Sequence, residues 1–336
     1  MHDHLTELLL CPKCHGDLVW KIEERLGAHI ESGVARCTEC GTEYPIRDGI
    51  GLFLLPDLPR DDLWQNVDSA IMRYLGENPE IERQLMDVPL ESLGPADQFF
   101  RAMVLDEQGE FDLAAEAEAR SREGSYTPEQ LVCSDSQVEY VLELVSQHAG
   151  PIVDLASGRG HLVERLANLE DRLVVSTDFS PKVLRRNRRW LEHAGLYERV
   201  SLLAFDARQT PFQDGAVPVM TTYVGLPNIE SPGDLLVELR RIVGGVFAAV
   251  HHFYPADDAA NTGALKQFGL EILLFKDSAI GSFGESGWHV EVANSCHSRS
   301  LPTPSGVVLE GAAIDGLPVA ETILEWCVLV ANQSTQ

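Results

Sequence analysis

Basic residues are scarce in this chain: 26 Lys and Arg stand against 52 Asp and Glu in 336 residues, a formal net charge of -26. Such an excess repels a phosphate backbone unless the cations gather on one face, so a general nucleic-acid binder is disfavoured. Long apolar runs are missing as well. No stretch reaches the roughly 18 to 20 residues that a membrane-spanning helix requires, and no membrane role is expected. The opening Met1-His2-Asp3-His4-Leu5-Thr6-Glu7 lacks the basic start of a secretory signal, which makes the expected location cytoplasmic. An even cysteine count is lacking too: there are seven, four of them in two close pairs near the start, unlike a secreted disulfide scaffold. What is present, 44% hydrophobic and 23% charged residues, excludes disorder, collagen and coiled coil as the whole chain. The length allows about two domains, or one large domain with an appendage.

The pairs Cys11-Pro12-Lys13-Cys14 and Cys37-Thr38-Glu39-Cys40 are separated by about 22 residues, near the spacing of zinc ribbons. Each C-x2-C turns two thiolates toward one ion, and Gly16 and Gly41 permit tight backbone turns just beyond. Cys11, Cys14, Cys37 and Cys40 are therefore expected to hold a structural Zn2+, since four thiolates leave no open position for a substrate. The alternative is four ordinary buried or redox cysteines. The segment from Leu8 to Ile50 resembles the zinc-ribbon family of small methyltransferase-activator subunits, over about the first 55 residues. That resemblance implies a packing or partner-contact role.

After Pro56-Asp57-Leu58-Pro59 the chain is acidic to about Glu129, with helical stretches broken near Pro79, Pro89, Pro95 and Pro128. This reads as a helical linker or a lid over a pocket. From Ser136, a possible N-cap, Val138, Val141, Leu142 and Val145 recur at helical spacing. Pro151-Ile152-Val153-Asp154-Leu155-Ala156-Ser157-Gly158-Arg159-Gly160-His161 then reads as a buried strand, a tight turn and a helix start, the first βα unit of a doubly wound α/β sheet. A second strand, Leu173 to Thr177, ends in Asp178; Ser180 and Pro181 then start another helix. An acidic residue at that point can accept from both ribose hydroxyls, so loop and carboxylate together specify a nucleoside-bearing cofactor; the alternative is that Asp178 caps the adjacent helix.

The loop is similar to the D/E-x-G-x-G-x-G loop of class I S-adenosylmethionine-dependent methyltransferases, with Phe205-Asp206-Ala207 matching the adenine-contacting step. The segment Pro211 to Ile229 resembles the fourth-strand motif of the small-molecule branch that includes quinone-biosynthesis methyltransferases, and the likeness spans about residues 135–330. It implies a Rossmann-like methyltransferase sheet joined to an N-terminal zinc ribbon and a helical insert: a ribbon over 1–58, an acidic helical linker or lid over 59–130, and a class I methyltransferase domain over 131–336. It further implies S-adenosylmethionine as cofactor, with Asp154, Ala156, Gly158 and Gly160 around the methionine end, Asp178 at the ribose, Asp206 and Ala207 at the adenine, Phe179 packed on the adenine face, and Thr222 and Tyr223 near the sulfonium. Two positions depart from the pattern. Ala156 replaces the first glycine, and Pro218, which removes a ladder donor, unsettles the start of the fourth strand.

Methyl transfer needs positioning and exclusion of water more than a nucleophile. A base helps where the acceptor must lose a proton, which singles out His251, His252 and Tyr254 after the apolar strand Gly245 to Val250; the alternative is hydrogen bonding in a structured loop. His161 reads as a polar first-turn residue, and Cys296 and His297 carry no motif. Lys182, Arg185, Arg186, Arg188 and Arg189 spread around a helix and are expected to pair with nearby carboxylates, an RNA-contact patch being the other reading. A helix over 259–268, strands over 289–293 and 322–330 forming a late antiparallel hairpin, and an extended loop between them complete the expectation, the loop bordering an acceptor pocket or lying on the surface. Three functions remain open: a methyltransferase for a small-molecule acceptor, with the ribbon stabilising or gating the site or contacting a protein partner; an RNA methyltransferase; or a non-catalytic scaffold with a degenerate loop.

Overall fold

The computed structural model describes residues 1–55 and 63–333, with side chains of the first helix from residue 70 onward. The Pro56-Asp57-Leu58-Pro59 segment, and with it the expected boundary at 58, lies outside the described residues.

Among the described residues, eleven strands form one sheet: β1 (Leu18–Leu26), β2 (His29–Cys37), β3 (Glu43–Arg47), β4 (Ile50–Leu52), β5 (Ile152–Asp154), β6 (Val174–Asp178), β7 (Val200–Ala204), β8 (Val217–Tyr223), β9 (Val243–Phe253), β10 (Trp288–Ser300) and β11 (Thr322–Gln333). Their order is β1-β2-β3-β4-β7-β6-β5-β8-β9-β11-β10. Strands β5 to β7 are buried along their whole length, as continuous apolar runs in a parallel sheet covered on both faces should be. The order reverses between β5 and β8, which opens a crevice at their carboxyl ends, where doubly wound sheets bind ligands. β11 pairs antiparallel with both β9 and β10, and the expected hairpin forms the far side of the sheet with β10 as its edge strand.

The ribbon is not a separate body. β4 lies parallel to β7, with Ile50 opposite Leu202 and Leu52 opposite Ala204, and the Phe53 N–H donates to the Ala204 carbonyl at 2.8 Å. On the other side the Leu10 N–H reaches the Pro211 carbonyl at 2.6 Å and the Gln213 N–H reaches Leu8 at 3.0 Å. Phe53, Leu9 and Tyr44 share one core cluster with Leu203, Phe205 and Phe212. The intramolecular contact foreseen for the ribbon is thus a strand pairing that would otherwise leave β7 as an open edge.

Several local expectations shift. Pro79, Pro95 and Pro128 each sit in the first turn of a helix, Pro79–Met86, Pro95–Gln108 and Pro128–Ser146, where a missing N–H costs nothing. The third of these starts well before Ser136, because the Thr127 side chain caps it by accepting from the Gln130 N–H. β8 runs through Pro218: the register with β9 slips between Val217 and Val219, and Gly245 lies so close that an added Cβ would sit 2.1 Å from the Pro218 carbonyl oxygen. β9 extends to Phe253, so His251 and His252 are strand residues rather than loop residues. The helix Ala259–Phe268 lies where the sequence places it. No helix among the described residues is long and apolar enough to cross a membrane.

Candidate cofactor cleft, metal centre and cavity

At the ribbon tip the four thiol sulfurs of Cys11, Cys14, Cys37 and Cys40 lie within 4.8 Å of one another. The Cys11–Cys40 and Cys14–Cys37 separations are 3.6 and 3.5 Å. Four sulfurs at about 2.3 Å from a tetrahedral zinc stand about 3.8 Å apart, so the donor set and its spacing fit that ion. The Tyr44 hydroxyl lies 3.2 Å from Cys11 Sγ, placed to donate to a thiolate, the outer-layer contact that orients a metal ligand.

The glycine-rich loop begins where β5 ends. The Leu155 N–H donates to Thr221 of β8 (2.8 Å) and the Ser157 N–H to Thr177 of β6 (2.7 Å), which ties the loop to both walls of the crevice. Ala156 takes a φ of 50°, the left-handed conformation that a glycine adopts without strain. Gly160, at φ 81°, is the N-cap of the helix His161–Ala167. Asp178, at the end of β6, accepts from the Gly158 N–H through Oδ2 and from the Ser180 N–H through Oδ1, both at 2.9 Å. Its carboxylate is therefore fixed against the loop. The Ser180 hydroxyl takes the role of helix N-cap, accepting from the Val183 N–H.

Asp154 sits beneath the loop, fully buried, and accepts from the Thr221 hydroxyl at 2.7 Å. Burial pushes its carboxyl up to about 7. The Thr222 hydroxyl donates to the Leu155 carbonyl (2.7 Å) and holds the loop from behind. Asp206 is engaged by Arg208 through both carboxylate oxygens, with guanidinium contacts of 2.8 and 3.0 Å. Phe179 and Ala207 are half-buried beside these groups.

A buried ionic clamp fastens the helical insert over this loop. Arg159, between the two loop glycines, donates to Glu118 (2.8 and 3.1 Å) and to Asp106 (2.9 Å), and stacks over Phe99 at 5.4 Å. Arg186 meets the same Asp106 at 2.6 Å. Two more of the basic cluster pair with carboxylates, at interfaces rather than in solvent: Arg188 meets Glu31 of the ribbon at 2.7 Å, and Arg189 meets Glu107 of the insert at 3.4 Å. One helix, Pro181–His193, thereby ties ribbon, insert and loop together.

Under the insert lies a cavity of about 710 Å3. His161 and Tyr223, 5.2 Å apart between ring centroids, form its end nearest the glycine loop. The sheet supplies its floor through His252, Tyr254, Leu324 and Trp326; His252 and Trp326 are cross-strand partners with rings 5.0 Å apart. The extended segment after β10 closes the roof. Asp97, fully buried in the insert, holds that segment by accepting from the Val307, Val308 and Leu309 N–H groups at 2.8, 3.0 and 3.0 Å, and the Tyr126 hydroxyl donates to Asp315 at 2.6 Å. Alternation along β9 separates the histidines: His252 and Tyr254 face the cavity, whereas His251 faces the other layer and donates through Nε2 to the Leu273 carbonyl at 2.8 Å. Burial lowers His251 to about 4 and His252 to about 3, so both imidazoles are neutral at pH 7.

Sequence reasoning did not single out Arg159, Asp106, Glu118, Asp97, Gln130 or Trp326 as site residues. The one available signal was an arginine enclosed by the two glycines of a ligand loop, where a long charged side chain needs a partner.

Residues 152–244 match the family described as "Methyltransferase domain", and residues 2–49 match the family described as "Trm112p-like protein". A curated relative, the ubiquinone/menaquinone biosynthesis C-methyltransferase UbiE of Geobacter sp. (strain M21), is 25% identical over 123 residues, 32% of this chain and 52% of that protein. The chain thus spans about half the length of this relative. Among solved structures, the YcgJ protein of Bacillus subtilis aligns over 60% of this chain and 99% of its own, at 12% identity and a TM-score of 0.47. A SAM-dependent methyltransferase of Aquifex aeolicus aligns over 61% and 93%, at 15% identity and a TM-score of 0.42.

Proposed function

We propose that this chain, which carries a methyltransferase domain and a Trm112p-like ribbon in one continuous sheet, transfers a methyl group from S-adenosylmethionine to a small-molecule acceptor. The observation that carries the reading is the cradle at the sheet's switch point, where Asp178 is locked by the Gly158 and Ser180 N–H groups beside a loop of small residues. Asp178 would take the ribose hydroxyls, Gly158 and Gly160 the methionine end, with Asp206, Ala207 and Phe179 toward the adenine. Ala156 fits because its backbone already holds the left-handed turn and its side chain is one methyl. Tyr223 and His161 would separate the cofactor from the cavity.

Bound there, S-adenosylmethionine supplies an electrophilic methyl group. The protein's part would be to hold the acceptor in line and limit its contact with water, for which the insert and the roof segment supply two walls of the cavity. His252, neutral and facing the cavity, and Tyr254, whose phenol burial keeps protonated, would orient the acceptor by hydrogen bonding. The zinc site would be structural, holding the ribbon whose β4 covers the edge of β7. Pairing of Arg186, Arg188 and Arg189 with carboxylates supports a small molecule over an RNA, since these cations are already neutralised.

Titration calorimetry with S-adenosylmethionine and with S-adenosylhomocysteine tests the cofactor, and methyl-labelled donor incubated with a metabolite extract tests transfer. Saturable binding with label entering a low-mass product is the expected result. A folded, zinc-loaded protein that binds neither ligand overturns the reading.

A further inference from the structure

Outside the cleft, the ribbon tip and the ion clamp, two cysteines far apart in sequence meet where the helix Pro128–Ser146 packs on the edge of the sheet. Cys133 lies on that helix and Cys296 on the edge strand β10, 163 positions away. A bulge in β10 brings them together. Between Ala293 and Cys296, three steps along β10 face two along β11, from Val328 to Trp326, so one residue is in excess. Side chains alternate along a strand, and an extra residue reverses the face they take. Trp288, Val290 and Val292, before the bulge, pack with the core cluster that holds Phe247 and Phe283. Cys296, beyond it, packs instead against the cluster that holds Cys133, Val138 and Val141. Regular pairing would have kept Cys296 on the face of Val292, away from the helix. Asn294 takes the extra turn at φ 50°, and its amide pins the bulge to the helix by donating to the Ser136 carbonyl and to the Gln137 amide oxygen, both at 3.1 Å.

The two Cα atoms stand 6.1 Å apart, within the roughly 4.4–6.8 Å that a disulfide spans, and the structure joins the pair as one. Gln137, fully buried, donates from Nε2 to the Cys133 carbonyl at 3.2 Å and to Cys296 Sγ at 3.3 Å. A donor aimed at sulfur favours its thiolate, the form that reacts. The two sulfurs are unequally placed. Cys133 is 6% exposed, whereas Cys296 is half-buried on an edge strand. Cys327, the next residue after Trp326 on β11, belongs to the other core cluster and does not compete for either.

We propose that Cys133 and Cys296 form a thiol–disulfide exchange site, which a small disulfide such as oxidised glutathione closes and the corresponding thiol reopens, stapling the helix to the sheet. The Cys296 thiolate attacks one sulfur of the small disulfide and releases one thiol. The Cys133 thiolate then attacks Cys296 Sγ in the mixed disulfide and releases the second. Two protein thiols thereby lose two electrons and two protons, and one small disulfide becomes two thiols. Gln130, Leu131 and Ser134 of the same helix line the cavity, as does Trp326, the cross-strand partner of Cys296, so the staple joins a wall of the cavity to its floor. This chemistry is independent of the cofactor and of what the cavity holds.

The test incubates the zinc-loaded full chain at pH 7 with reduced or with oxidised glutathione, alkylates it in denaturant and maps the cysteines by mass spectrometry. Reduced glutathione should leave Cys133 and Cys296 both alkylated, and oxidised glutathione should join them to each other. Cys133→Ser should trap Cys296 as the mixed disulfide with glutathione, whereas Cys133 in Cys296→Ser should react about tenfold more slowly, as its burial requires. Hydrogen exchange reads the staple: amides of Pro128–Ser146 should exchange about tenfold more slowly in the oxidised chain than in the reduced one, a difference that both serine variants abolish. A pair that reduced glutathione fails to open or oxidised glutathione fails to close, a Cys133 that reacts faster than Cys296, or helix exchange equal in the two states overturns the proposal.

Discussion

Arg159 and Asp106 meet at 2.9 Å although 53 positions separate them, one in the turn of the glycine-rich loop and the other on a helix of the acidic insert. Both are nearly inaccessible, with 12% and 5% of their side chains exposed. Such a pair contributes little net stability when whole and costs much when halved, because the remaining charge is left without a partner in a low-dielectric setting.

Replacing Asp106 with Ala leaves Arg159 and Arg186 facing each other without their shared carboxylate. The expected loss is about 3 kcal/mol in urea denaturation, together with weaker cofactor binding as the loop loses its support. Asp106→Asn, which keeps the acceptor oxygen, should lose less. Wild-type stability and affinity in Asp106→Ala would remove the clamp from the account.

Zinc removal should act at a distance. Because β4 pairs with β7, loss of a bound metal should expose a strand edge of the parallel sheet as well as unfold the ribbon. One zinc per chain is expected by elemental analysis. Chelation, or Cys37→Ser, should lower the melting temperature of the whole chain in a single transition. Two separate transitions, with the second unmoved, would show that the parts are energetically independent.

Asp154 makes a signed prediction for pH. Its carboxyl stands at about 7 in the folded chain and at an ordinary 3.8 when unfolded, the shift coming first from burial. Between those values the folded state holds a proton that the unfolded state has lost. The contribution of this group is therefore complete below 3.8 and declines as pH rises to about 7, by up to about 1.4 kcal/mol per pH unit. Asp154→Asn keeps a partner for the Thr221 hydroxyl and has no such proton. The stability of the wild type minus that of the variant should fall from pH 4 to pH 7, and a flat difference would disprove the assignment.

Asp178→Ala tests the cradle. Loss of its acceptor should reduce S-adenosylhomocysteine affinity by about 1–3 kcal/mol, roughly five- to 150-fold, and free the Gly158 N–H. Calorimetry that returns the wild-type affinity would place the ribose elsewhere.

Much of the parallel-sheet half was legible from residue pattern. Strands around Val153 and Val175, the N-cap at Ser180 and the helix from Ala259 to Phe268 all follow from short-range rules. Extent was harder to read. The sequence alone suggested a helix beginning at Ser136, yet Thr127 caps it earlier, and the sheet carries β9 past Val250 through both histidines. Pro218 is tolerated because Gly245 on the neighbouring strand leaves room for the slip, a compensation that only the pairing partner reveals.

By itself the sequence determined what depends on neighbours along the chain: two C-x2-C knuckles, a loop of small residues between a strand and a helix, and an acid one βαβ unit further on. Tertiary structure alone decided that the ribbon would extend the sheet through β4 and β7, that Arg159 would reach the insert, and that Gln130 and Trp326 would open onto one cavity. The physical reason is range. Turns, caps and ligand loops are set by a few consecutive dihedral angles, whereas an edge pairing, an ion clamp or a pocket wall depends on which distant segments bury their surfaces against each other, and no local periodicity encodes that choice.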